Sequence, residues 1–426
     1  MNLLKEVLTH QVYPAMGCTE PVSVALCAAY AAEQLSGPVQ SALLRLDPGT
    51  YKNGCGVRIP NTAGEKGNVL AAALGLLIAR PQLQMEILSG ADEKMLAQAK
   101  RWVAQKKVRL EVAPEKHGFY IEARVRDEAG QEAVCIISGS HTEVAYLACG
   151  GRVLQDARKP EKNRCSAFKE ALKKTSLAEL AACADRADAA DLAYIKKGVE
   201  MNLAAAEAGQ TLQKVGFYIK ELVRKKLLQL DLISSTKILT ACAADARMDG
   251  QSVPVMSSGE SGNQGVVTIL VPWKVGQEMG VPEETILRSI ALSHLLNGYV
   301  KVFTGELAPI CGCAIAAGVG AAAAIVYQQR GANVPAMTLA VNNIISDIGG
   351  MLCDGAKSGC ALKVVSSTDA AIRAAFMAMN DYGITEVEGF VGKTAEQTIQ
   401  NLGNISTVGM SAVDPMIVDI MQEKNK

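Results

Sequence analysis

An α+β fold is predicted for this chain of 426 residues. Three observations predict it. Short segments rich in β-branched residues cluster before Leu147. After Gly150-Gly151 the pattern turns helical and stays so. Aromatic residues make up only 4% of the chain while alanine and glycine abound, which suits close-packed helices with small residues at their contacts. The division implied is a mainly helical part, residues 1–37 plus 151–426, and a smaller α+β part, residues 38–150, holding a largely antiparallel sheet.

Taken in order, Glu20-Pro21 opens a helix that runs to about Gln34, since proline is tolerated in a helix's first turn. Gly37-Pro38 stops it. Residues 41–46, 84–88, 107–112, 119–125 and 133–137 read as strands by length and β-branched content. Val108, Leu110 and Val112 alternate with charged residues, as on a half-exposed strand. Residues 70–79 read as a helix, and Asp127-Glu128-Ala129-Gly130 as a hairpin turn. Helices are expected over 166–173, 176–184, 187–209, 213–229, 235–247, 283–300, 312–328, 335–348, 369–380 and 413–423. Ser367-Thr368-Asp369 offers side-chain caps to the helix 369–380. Gly349-Gly350 offers a left-handed end to the helix 335–348.

Composition narrows the function. Lys and Arg number 43, and so do Asp and Glu, so no net charge steers the chain toward nucleic acid or an acidic membrane surface. The first residues lack the basic start and apolar stretch of a secretory signal. Twelve cysteines without such a signal point to a reducing compartment, where they serve as ligands, nucleophiles or small core residues. The cytoplasm is the expected location, and a homodimer the default assembly. Residues 307–329 carry no charge but are mostly alanine and glycine, with Pro309 inside. They read as a buried central helix, not a membrane span.

The late cysteines carry the most chemistry. Cys313 lies in P-I-C-G-C-A-I, and Cys353 and Cys360 lie in M-L-C-D-G-A-K-S-G-C. Iron–sulfur clusters are held by thiolates on loops that wrap the sulfides, and these glycine-rich loops suit that. A three-thiolate cluster leaves one iron open, which is a feature of an enzyme. Cys311 of the C-G-C pair would be spare. Two other readings stand beside it: structural zinc, which favours tighter cysteine pairs, and ordinary buried cysteines. Cys18, in M-G-C-T-E-P, sits directly before a helix start. The partial positive charge there lowers a thiol's pKa, so Cys18 is a candidate thiolate base or nucleophile, or else a small residue at a tight turn.

Residues 256–265 pack hydroxyls, an amide and three glycines into one loop that can turn backbone N–H groups toward an anion. The loop lacks the closing Lys-Ser/Thr of a nucleotide-binding loop, so a substrate carboxylate is the better guest, with a plain flexible loop as the alternative. Ser140-His141-Thr142 follows a strand, and His141 suits proton transfer or a carboxylate. Lys52-Asn53-Gly54 adds another polar loop. His10, His117 and His294 sit in no polar cluster of the sequence and read as structural. The basic run 220–226 reads as a solvated helix face.

Together M-G-C-T-E-P, D-A-R-M-D-G at 245–250, S-G-E-S-G-N-Q-G at 258–265 and the late cysteines resemble the L-cysteine desulfidase family. That family is related to the α chain of iron–sulfur L-serine dehydratases. The resemblance runs from residue 16 to about residue 415. It implies a 4Fe–4S lyase, with Cys313, Cys353 and Cys360 as cluster ligands and Cys18 as the base. Lys52, Asn53, His141, Ser261, Asn263 and Gln264 are then the candidates for gripping an amino-acid substrate. The role of His141 stays open, because either 140–142 or Cys18-Thr19 matches the Ser-His-Thr of the serine dehydratases. The implied reaction is β-elimination from L-cysteine to pyruvate, ammonia and sulfide. L-serine dehydration is the alternative substrate reading, and a non-catalytic cysteine or redox sensor is the alternative class.

Overall fold

The computed structural model describes residues 1–116, 118–158, 164–305 and 307–424. Helix α1 (Leu3–Gln11) leads through strand β1 (Pro14–Ala15) to α2 (Thr19–Glu33). The turn between them passes through Gly17 at φ +73°, where a side chain would be strained and would strike Pro60. Next come β2 (Val39–Leu46), α3 (Pro48–Cys55), α4 (Asn68–Ile78), a 3₁₀ segment (Pro81–Gly90) and α5 (Glu93–Ala104). Strands β3 (Val108–Val112), β4 (Tyr120–Asp127), β5 (Glu132–Ser138), β6 (Val144–Cys149) and β7 (Arg152–Asp156) complete a six-stranded sheet. Its order is β3-β2-β4-β5-β6-β7, and only the β2–β3 pair is parallel.

One face of the sheet buries Leu44, Leu46, Ile121, Val125 and Ile137 against α2 and α4. Each such side chain contributes about 1.5–3 kcal/mol of burial. Helix α2 was assigned by sequence to the helical part. It packs instead in the sheet's core, because Val22, Leu26 and its alanines are buried between α4 and the strands.

The helical part comprises α6 (Arg164–Lys173), α7 (Leu177–Asp185), α8 (Ala189–Gly209), α9 (Val215–Arg224) and α10 (Leu232–Met248). It continues with the short strand β8 (Val255–Met256), α11 (Gly262–Glu278), α12 (Glu283–Thr304), α13 (Ile315–Arg330) and α14 (Val334–Ile348). Helices α15 (Cys360–Met379), α16 (Ala395–Asn404) and α17 (Val413–Lys424) close it. Helix α13 is the axis. It is buried from Ile315 through Gln328 and packs against α11, α12, α14 and α15. Its alanines and glycines let four neighbours approach. The uncharged stretch 307–329 is therefore largely core, and among the described residues no helix is long and apolar enough to cross a membrane.

Several local expectations are corrected. Residues 84–88 form no strand. They lie in the 3₁₀ segment that opens at Pro81, with Gln84 at φ +48°. Ser367 and Thr368 do not cap a helix, because α15 begins at Cys360. Thr368 donates to the Val364 carbonyl of its own helix at 2.9 Å, and Ser367 to the Ala314 carbonyl of another segment at 2.7 Å, so both hydroxyls are satisfied. Gly349 ends α14 at φ −57°, in the right-handed region. His117 lies outside the described residues.

Candidate active site

Strand β1 pairs antiparallel with β8, Pro14 opposite Met256 and Ala15 opposite Val255. Ser257 N–H then donates to the Tyr13 carbonyl at 2.9 Å, and Glu260 N–H to that of Gln11 at 3.0 Å. This zipper carries the loop before α11 to the start of α2, although Tyr13 and Ser257 are 244 residues apart in the chain. A second zipper joins the cysteine loops. Cys311 N–H donates to Met351 O at 2.8 Å, and Cys353 N–H to Pro309 O at 2.7 Å. The two zippers bound one cavity of about 70 Å³. That is well below the roughly 300–1,000 Å³ of common ligand pockets.

Into this cavity the fold brings Cys18, Asn53, His141, Ser261, Asn263, Gln264, Cys313, Cys353 and Cys360. All were singled out by sequence. Cys311 lines it as well. Lys52 does not line this cavity. Its buried ammonium donates to the Cys353 carbonyl at 2.8 Å and to Asp414 of α17 at 2.6 Å. Gly355, at φ +92°, passes so close that an added Cβ would strike the Lys52 carbonyl within 2.5 Å. Lys52 therefore braces the Cys353 loop against the C-terminal helix, and its amine is already engaged where a substrate grip was expected.

Cys18 is the N-cap residue of α2, as its position before Thr19-Glu20-Pro21 suggests. Its thiol, however, makes no cap and donates to Glu20 Oε2 at 2.8 Å. Burial, followed by the Glu20 charge, pushes the thiol well above its ordinary pKa, and the Arg247 charge opposes this only in part. The expected low-pKa thiolate is thus corrected: desolvation and an adjacent carboxylate outweigh the helix terminus. Glu20 also accepts from Thr19 Oγ1 at 3.1 Å and Asn53 Nδ2 at 2.9 Å. Burial alone would raise its pKa. The His141 charge and the bonds from Cys18 and Asn53 win, holding it at about 2.

His141 is buried against Phe119, 4.4 Å away between ring centres. Its Nδ1 and its backbone N–H both meet Glu260 Oε2, at 3.0 and 2.9 Å. Its Nε2 is buried without a partner among the described residues. A carboxylate that fixes one ring nitrogen and leaves the other bare is the arrangement of an oriented base. Behind the loop, Ser258 Oγ lies 2.8 Å from His294 Nδ1 and accepts from Asn297 Nδ2 at 3.0 Å. His294, read as outside any polar cluster, is therefore in one. Burial pushes its pKa down to about 3, which keeps it neutral. Lys301 donates to the Gly259 carbonyl and holds the loop from below.

Sequence reasoning did not assign Glu20, Arg247, Glu260 or Lys301 to the site. Their motifs were visible, but Glu20 meets Asn53, Glu260 meets His141 and Lys301 meets Gly259 only in the fold. Of the cysteines, Cys353 and Cys360 are raised by burial, Cys360 to about 11. Metal binding competes with such protons and displaces them. Among the described residues no three His, Cys, Asp or Glu side chains form a group able to hold a metal ion. A cubane spreads its thiolates over separate irons, so its ligands need not meet at one point. Three thiols on two loops facing one cavity fit that donor set, with α15 starting at Cys360 and the Lys52 and Lys363 charges favouring the Cys353 thiolate.

The chain belongs to the serine dehydratase alpha chain family, whose profile matches residues 83–419. At family level this makes it a dehydratase-like lyase. It is 64% identical, over the full length of both chains, to a UPF0597 protein of Elusimicrobium minutum. It is 56% identical to a UPF0597 protein of Geobacter sulfurreducens, over 100% of this chain and 99% of that one. A UPF0597 protein of Desulfotalea psychrophila is 36% identical over 99% of each chain. No solved structure matches.

Proposed function

We propose that this chain is a 4Fe–4S-dependent β-eliminating lyase that converts L-cysteine to pyruvate, ammonia and sulfide, with L-serine as the alternative substrate. The observation that carries the reading is that Cys18, the loop before α11 and the triplet Cys313, Cys353 and Cys360 line one small cavity. The triplet would hold the cluster. When bound, the cluster supplies an open iron, a Lewis acid for the leaving group. The chain supplies the rest. Ser261, Asn263 and Gln264 present polar atoms to the substrate, and the buried Asn263 Oδ1 and Gln264 Oε1 have no partner among the described residues. Cys18 gives its thiol proton to Glu20, its hydrogen-bond acceptor, and the thiolate so formed removes the α-proton. The product aminoacrylate then hydrolyses to pyruvate and ammonia.

A second reading of the base is favoured by one observation. His141 Nε2 lies buried and unpartnered at the cavity, while the Cys18 proton is held on sulfur. Here His141 takes the α-proton and Cys18 positions Glu20.

Anaerobic reconstitution of the intact protein tests the function. It should yield a brown protein with broad absorption near 400 nm that releases sulfide and pyruvate from L-cysteine, or pyruvate from L-serine. Cys353→Ser should lose both colour and turnover. A colourless protein of full activity would sink the cluster reading. α-Proton exchange in deuterated buffer, measured in Cys18→Ser and His141→Gln, identifies the base as the variant in which exchange stops.

A further inference from the structure

The cavity holds a cation that pairs with nothing among the described residues. Arg247, at the end of α10, is 3% exposed and lines the cavity. Its Nε is buried without a partner among the described residues. Among the described residues no carboxylate pairs with it, although its motif neighbours are committed: Asp245 accepts from Gly216 N–H at 2.8 Å, and Asp249 pairs with Arg58 and Lys214. The other two Lys or Arg side chains of the wall are engaged. Lys301 reaches the Gly259 carbonyl, and Lys363 reaches Asp354 at 2.7 Å and the Leu352 carbonyl at 2.6 Å. A buried, unpaired guanidinium costs several kcal/mol unless an anion completes it.

The wall beside Arg247 is also built for an anion. Helix α11 starts at Gly262, and its N-cap Ser261 makes no side-chain cap. The first amides of this 17-residue helix therefore lack the usual partner. Gly262 lies against Arg247, where an added Cβ would overlap the guanidinium Nε. Fork and helix terminus thus face the same space. Arg247 is also close enough to Cys18 for its charge to act on that thiol.

We propose that Arg247, with the N-terminus of α11, is the site that grips the α-carboxylate of the substrate. The inference rests on the lyase reading of the same cavity and deepens it. The substrate class becomes a small α-amino acid with a free carboxylate, and amides, esters and peptides extended at that end are refused. A carboxylate docked there brings the α-carbon, one bond away, toward Cys18. The ammonium group then meets the unpartnered acceptors Asn263 Oδ1 and Gln264 Oε1.

Calorimetric titration with L-alanine tests this without turnover, because L-alanine has no leaving group. L-alaninamide is the matched probe that lacks the charge. The reconstituted protein should bind L-alanine, and Arg247→Lys should weaken it at least roughly tenfold, since a lost charge-assisted fork is worth about that factor or more. L-alaninamide should bind poorly and to the same extent in both proteins. Gly262→Ala, which keeps the arginine but displaces it, should weaken L-alanine binding in the same direction. Thermal melts identify any variant that fails to fold, and Gly262→Ala then carries the test. Equal L-alanine affinity in wild type and Arg247→Lys would overturn the proposal, as would tight binding of the amide or no L-alanine binding by wild type. A protein that binds L-alanine through Arg247 yet releases neither sulfide nor pyruvate would retain this site and defeat the lyase reading, so the two failures are distinct.

Discussion

Glu20→Gln removes the charge at the centre of the Cys18–Glu20–Asn53 group while keeping its volume. The magnitude follows from the structure. The Glu20 carboxyl is held at about 2, against an ordinary value of 4.5, because the His141 charge and the Cys18 and Asn53 bonds outweigh its burial. At about 1.4 kcal/mol per pH unit, that difference is about 3 kcal/mol of folding stability at neutral pH. The sign is that of an acid depressed in the folded state. The contribution is complete above about pH 4.5 and is lost as pH falls through 2. Glutamine cannot reproduce it at pH 7, but it resembles the protonated acid at low pH. Urea denaturation, followed by the fluorescence of Trp102 and Trp273, should show Glu20→Gln less stable by about 3 kcal/mol at pH 7. The gap should shrink to about half that near pH 3. A gap that stays constant from pH 7 to pH 3, or no gap at pH 7, would refute the argument that Glu20 is held ionised by its neighbours.

Two further outcomes are expected. Asp414→Asn should cost about 1.5–3 kcal/mol in urea denaturation, because it removes the carboxylate that pairs with the buried Lys52 ammonium; an unchanged midpoint would show that α17 does not brace the Cys353 loop. Gly265→Ala should destabilise by about 1–3 kcal/mol, since an added Cβ would overlap the Met256 carbonyl. Helix propensity alone favours alanine by about 1 kcal/mol, so a stabilised variant would show that α11 does not approach β8 as closely as described.

Much of the architecture lies in local sequence. Strands β3 to β5 follow from short runs that carry β-branched residues, and most helices of the second half from their periodicity, because side-chain pattern and backbone period are set by neighbours in the chain. α3 escaped, although Asp47-Pro48 carries the signal: Asp47 caps Thr50 N–H at 3.0 Å and Pro48 opens the first turn. α11 escaped because its glycine-rich start reads as loop, and the close approach that demands those glycines is tertiary. The extension of α15 back to Cys360 was hidden by Ser367, whose hydroxyl is satisfied by the Ala314 carbonyl of another segment.

The site divides along the same line. The sequence by itself determined which residues are candidates for the site: Cys18, His141, the loop before α11 and the late cysteines, each marked by residue type and local spacing. Only the tertiary structure decided what those groups are in place. It turned Cys18 from an activated thiolate into a buried thiol held by Glu20, and gave His141 its carboxylate in Glu260. It moved Lys52 from substrate grip to brace, and left Arg247 without a partner among the described residues at the cavity wall. The reason is physical. Ionisation and hydrogen bonding at a buried site are set by burial and by partners within a few ångströms, and here those partners lie as far as 362 residues away along the chain.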